Sequence, residues 1–193
     1  PTTLPAERRI RPLTEAPLSI CLLSVDYPPR STHGVARSTE TLARGLAELG
    51  HEVHVVTAGT GHRVYAQDGA WVHETGPVTI RRYHEFAAAG YSDLAAWMNH
   101  SHEALATIRS LIRNHGIQIL DSPLWNLDGY VAAVAGDLPV AVRLVTAMRQ
   151  IGEIHGDDSA ERRLLGELEV DFLRRADLLV SNSAATERAL SEV

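Results

Sequence analysis

Residues 19–25 read SICLLSV, a continuous apolar run without polar alternation, and short apolar runs recur at 52–57, 78–83, 117–121, 139–144 and 178–181. A strand that is apolar on both sides must be covered on both sides, and helices between the strands are what cover it. Segments of helical period lie between most of these runs, so the chain predicts an α/β fold with a mostly parallel sheet built from βαβ units. One such segment starts near Gly34, with Val35, Leu42, Leu46 and Leu49 as its apolar side, Ser31 or Thr32 as cap and Gly50 at its end. A longer one covers 92–115, carrying Leu94, Trp97, Met98, Leu105, Ile108, Leu111 and Ile112, with Gly116 as its stop. Further helices are expected at 127–135, 164–175 and 184–193, and 58–77 reads as a hairpin or excursion.

Residues 1–18 contain Pro1, Pro5, Pro12 and Pro17 without apolar period and read as an extended arm, leaving 19–193 as the domain. The chain lacks an initial methionine and ends inside a helical pattern, which suggests a piece of something longer. A net charge of −6, with 18 cations against 24 anions, argues against a nucleic-acid partner. All the cations are arginine, so lysine Schiff-base chemistry and a P-loop lysine are excluded from this chain. No apolar stretch approaches the roughly 18 residues of a membrane span or resembles a signal peptide. The expected location is cytoplasmic, with a place on the inner face of the membrane as the variant. Cys21, the only cysteine, lies in the first apolar run and reads as a buried thiol.

The segment YPPRSTHGVAR, residues 27–37, joins the first strand to the first helix. At the carboxyl end of a parallel strand the next helix presents free N–H groups that hold phosphate or carboxylate. Gly34 allows close backbone approach, and Arg30 and Arg37 add charge; an ordinary strand-to-helix turn is the rival reading. The dinucleotide pattern G-x-G-x-x-G is missing. His51 with His54, and His100 with His102, lack chelating geometry at their spacings and read as solvated or capping histidines, so no metal is expected. Glu153, His155, Asp157 and Asp158 read as an acidic loop, either solvated or recognising an acceptor. Trp125 and Asn126 follow the strand at 117–121, where the ring either stacks on a sugar or packs in the core. Trp71 and Trp97 read as structural.

The run ICLLSVDYPPRSTHGVARSTETLARGLAELGHEVHVVTAG resembles the opening of family 4 of the retaining glycosyltransferases. LDSPLWNLDGYVAA, PVAVRLVTAMRQ and LEVDFLRRADLLVSNSAATERAL are similar to later segments of that family, in the same order. The resemblance implies a Rossmann-like parallel sheet with helices on both faces, one half of the two-domain GT-B architecture. It implies the acceptor-binding half of an enzyme moving sugar from a nucleotide-sugar donor to a sugar, polyol or lipid-linked acceptor, with no metal or other cofactor. His33, Gly34 and Arg37 would face the donor diphosphate, and Tyr27, Trp125, Asn126, Arg143, Glu153 and His155 are the acceptor-binding candidates. His33 stands where many members have glycine, and Val145 where many have a histidine facing the transferred sugar. The family's E-x7-E motif and base pocket belong to a carboxyl-terminal domain that this sequence does not contain, so the chain alone is expected to be inactive. The alternative is a stand-alone flavodoxin-like module that binds a small anion or sugar.

Overall fold

The computed structural model describes residues 16–181, 183 and 184. The first 15 residues of the expected arm, and the terminal helix beyond residue 184, lie outside the described residues. Seven described strands form one sheet: β1 (Ser19–Leu23), β2 (Glu52–Thr57), β3 (His62–Gln67), β4 (Ala70–Thr75), β5 (Ile119–Pro123), β6 (Val140–Arg143) and β7 (Leu178–Val180). Their order is β3-β4-β2-β1-β5-β6-β7, parallel throughout except for the antiparallel hairpin β3–β4. Without β3, the strands taken in chain order stand as 3-2-1-4-5-6, the Rossmann order; the flavodoxin-like 2-1-3-4-5 order of the alternative is not what the chain adopts.

Alternation along β1 places side chains in two cores. Cys21 and Leu23 join the larger one with Ile108, Leu120, Leu165 and Phe172, whereas Ile20 and Leu22 join Ala43, Val53, Val55 and Val72 on the other face. The larger core is closed by α3 (Ser92–His115), α4 (Tyr130–Ala135) and α6 (Ala160–Arg175), and the smaller by α1 (Gly34–Glu48), while the short α2 (His84–Ala88) leads into α3. Burial pushes the Cys21 thiol far above its ordinary range, which keeps it protonated and inert. Gly116 stops α3 in the left-handed conformation, φ 63°, with its N–H on the Ile112 carbonyl. No helix among the described residues is long and apolar enough to cross a membrane.

Four expectations are corrected. Residues 78–83 form no strand: the third parallel strand is β4, and Thr79 and Arg82 are instead bonded to Asn99 of α3. The fully buried seam of α1 is Ala36, Thr39 and Ala43; of the expected stripe Leu42 and Leu46 pack half-buried on the smaller core, whereas Leu49 is 75% exposed. Neither Ser31 nor Thr32 caps that helix; its N-cap is His33, without a side-chain bond to the first turn. The acidic loop is largely helix, α5 (Met148–His155), and its carboxylates at Asp157 and Asp158 bind Arg162 and Arg163 at the start of α6. Trp97 packs on the larger core, but Trp71 is half exposed.

Small residues let α1 lie close to β2 and β4. Ala43→Leu should therefore lower stability by about 1–3 kcal/mol through overpacking, whereas Leu49→Ala should change the urea midpoint little. The reverse ranking in urea unfolding would restore the leucine stripe as the packed face.

Candidate functional site

Chain order reverses between β1 and β5, and in open α/β sheets ligands bind beyond the carboxyl ends of the strands at such a point. Two connections flank it here, residues 24–33 after β1 and the turn after β5. The first is drawn into a hook: the Val25 carbonyl accepts from Arg30, from the Thr57 hydroxyl at 3.1 Å and from the Ala58 amide at 3.2 Å. The Asp26 carboxylate meets His33 Nε2 at 2.9 Å and Arg30 at 3.4 Å. His33 is thereby turned onto the loop, away from the amides of α1, whose first turn stays uncapped. Gly34 at its head is exposed, and a β-carbon built there meets nothing within 4 Å.

The second connection is a single 3₁₀ turn, Trp125–Leu127, in which Asn126 (φ 57°) and Leu127 (φ 55°) both adopt the left-handed region. Asparagine tolerates that region, but for leucine it costs of order 1 kcal/mol. The turn delivers Asp128 beneath the hook, where its Oδ2 accepts from the Val25 amide at 2.7 Å. Oδ1 of Asp128 has no partner among the described residues. Burial pushes this carboxyl up from 3.8 to about 7; the Val25 bond opposes the shift and the Asp26 charge adds to it. Gly129 follows of necessity, since a β-carbon there would lie 2.6 Å from that of Ser122.

His100 of α3 is also buried, and its Nε2 is unpartnered among the described residues. Burial first, and the Arg30 charge second, lower its pKa to about 4, so the ring is neutral at pH 7. Arg143 at the end of β6 donates to Asp121 Oδ1 at 2.6 Å and to Thr39 Oγ1 at 3.0 Å. It ties β5 and β6 to the first turns of α1. Burial raises the Asp121 pKa, with Arg143 pulling against it.

The fold thus gathers His33, Gly34, Trp125, Asn126 and Arg143 at one edge of the sheet. Trp125 packs partly on the larger core. Tyr27 does not offer itself to a ligand: it is 2% exposed within the smaller core, and burial lifts its hydroxyl pKa to about 12. Arg37 pairs with Glu40 at 3.1 Å along α1 instead of reaching over the loop. His155 is exposed at the end of α5, and Glu153 lies on the same helix with its side chain outside the described residues. Val145 packs against the larger core. Asp26, Asp121 and Asp128 belong to this edge without having been singled out by sequence; His100, expected to be a solvated or capping histidine, is instead 1% exposed inside the fold.

Because the unfolded chain binds fewer protons than the folded one between pH 3.8 and about 7, Asp128 makes folding less favourable as pH rises through that window. The melting temperature of Asp128→Asn relative to wild type should therefore climb from pH 5 to pH 8. A difference that stays flat would mean the carboxyl is ionised throughout.

Residues 32–193 match the family model described as Glycosyltransferase Family 4. No curated protein matches the chain. Among solved structures, sucrose-phosphate synthase from Thermosynechococcus elongatus superposes with a TM-score of 0.70 at 14% identity, over 91% of this chain and 45% of that one. A second structure of sucrose-phosphate synthase from that organism gives 0.56 at 14% identity, over 89% of this chain and 80% of that one. At that identity the likeness is one of fold, and the chain spans less than half the length of the first of these structures.

Proposed function

The chain belongs to Glycosyltransferase Family 4, and from that premise we propose that it forms the acceptor-side half of an enzyme moving a sugar from a nucleotide-sugar donor to an acceptor. The uncapped start of α1 at the switch point carries this reading. Its free amides and the positive end of its dipole face the edge where a ligand binds, and Gly34 leaves the approach open. In this scheme the donor diphosphate lies against Gly34, and the α1 amides offset the charge that develops on the departing nucleotide. That is electrostatic preorganisation, which requires the donors to be fixed before reaction. The Asp128–Val25 bond and the Arg143 bridge supply the fixing.

The acceptor, of sugar, polyol or lipid-linked kind, would lie over Asn126 and the exposed part of Trp125, whose amide and ring suit hydroxyl and ring-face contacts. The nucleotide base would be held by a second domain. Tyr27 and Arg143 serve in this reading as supports, through packing and bridging respectively.

Gly34→Val should leave the melting temperature of a protein carrying both domains nearly unchanged, because a β-carbon there meets no neighbour. Transfer should fall at least tenfold, since the branched side chain covers the amides; full activity in a donor-saturation assay would remove the loop from the site. Calorimetric titration of this chain alone with nucleotide sugars should give a dissociation constant no tighter than about 1 mM, the ~4 kcal/mol that a diphosphate contact by itself supplies. A micromolar complex would contradict the divided site.

A further inference from the structure

At the edge of the sheet opposite the loop of residues 24–33, three side chains from distant parts of the sequence converge. Glu52 opens β2, His54 follows it by two residues, and His115 is the last residue of α3. Glu52 Oε1 lies 2.9 Å from His54 Nε2 and 3.3 Å from His115 Nδ1, and one ligand atom from each residue falls within 4.8 Å of the other two. Around a tetrahedral zinc ion with bonds of about 2.0–2.1 Å, neighbouring donor atoms stand roughly 3.4 Å apart. The three atoms are thus near the separations that one ion requires.

The surroundings fit as well. His54 is 1% exposed, and its other nitrogen, Nδ1, lies 3.0 Å from His73 Nε2, with the two rings stacked at 5.2 Å. A histidine that binds a metal through one nitrogen is normally oriented by a hydrogen bond from the other, and His73 is placed to accept it. The second carboxylate oxygen of Glu52 accepts from Ser19 Oγ at 3.0 Å, which fixes that side chain too. Glu52 and His115 are 46% and 41% exposed, which leaves an entry path and room for water. Among the described residues this is the one group of three or more histidine, cysteine, aspartate or glutamate side chains with such proximity.

We propose that Glu52, His54 and His115 bind one divalent transition-metal ion of the zinc class, with water completing the coordination. Without the ion, Glu52 accepts hydrogen bonds from both rings. On binding, His54 and His115 each carry the proton on the nitrogen facing away from the metal, so the ion takes the place of the two protons shared with Glu52 and is held by two neutral imidazoles and one carboxylate. The ion cross-links the start of β2 to the end of α3, far from the donor loop, and acts on stability rather than on transfer. His51 stays outside the set, because its Nδ1 accepts from the Leu18 amide.

The test uses the untagged 193-residue chain, stripped with chelator and titrated with Zn²⁺ by calorimetry and with Co²⁺ by visible absorption. One equivalent should bind with micromolar or tighter affinity, Co²⁺ should give the intense visible bands of a four-coordinate centre, and Zn²⁺ should raise the melting temperature. His115→Ala and Glu52→Gln, both at exposed positions, should weaken binding at least about tenfold, while His84→Ala should leave it unchanged. Binding no tighter than millimolar, or unaltered affinity in both variants, would overturn the proposal.

Discussion

A buried carboxyl beneath a backbone amide holds the carboxyl edge of this sheet together. Asp128 takes the Val25 N–H just where the chain leaves β1, and so joins the two connections on either side of the switch point. Its position depends on two consecutive left-handed residues, Asn126 and Leu127, and on a glycine at 129 that lets the turn press against Ser122. Local strain is tolerated because the surrounding core, with Leu127 itself and Phe172 fully buried, leaves the turn no alternative packing.

Arg143 performs the same task for the helix. One guanidinium spans Asp121 on β5 and Thr39 on α1, so the amides at the head of α1 are set relative to two strands rather than to one. The planar fork of arginine suits such a bridge, since its donors are fixed relative to each other. Burying Asp121 is unfavourable by itself and raises its carboxyl pKa, with the adjacent Arg143 cation pulling against that rise. Removing one partner would leave the other buried and uncompensated.

Polar chemistry is thereby divided between the two edges of the sheet. At the carboxyl edge, neutral or hydrogen-bonded groups surround the uncapped start of α1. At the amino edge, imidazoles and one carboxylate face each other at ligand distances. The apolar middle, made by residues such as Leu22, Val55 and Leu120, separates them, so the two ends are free to serve different purposes.

Much of the architecture was legible in the residues. Continuous apolar runs marked the buried strands β1, β2, β5 and β6, though the run that forms β7 is exposed; α3 and its glycine stop followed from helical period, and Cys21 was recognisable as a core thiol. The strand-to-helix junction at residues 27–37 was legible from its prolines and Gly34, although neither expected polar cap is used. The ranking of apolar runs failed at 78–83, because β propensity cannot say which run finds a neighbouring strand, and β4 took that place. On α1 it failed at Leu49, while Leu42 and Leu46 pack on the smaller core beside the more deeply buried alanine and threonine. Tyr27, Asp128 and the convergence of His54 with His115 needed the tertiary structure. Period reports which side of an element is buried, but only chain topology decides which residues, sixty or a hundred positions apart, meet there.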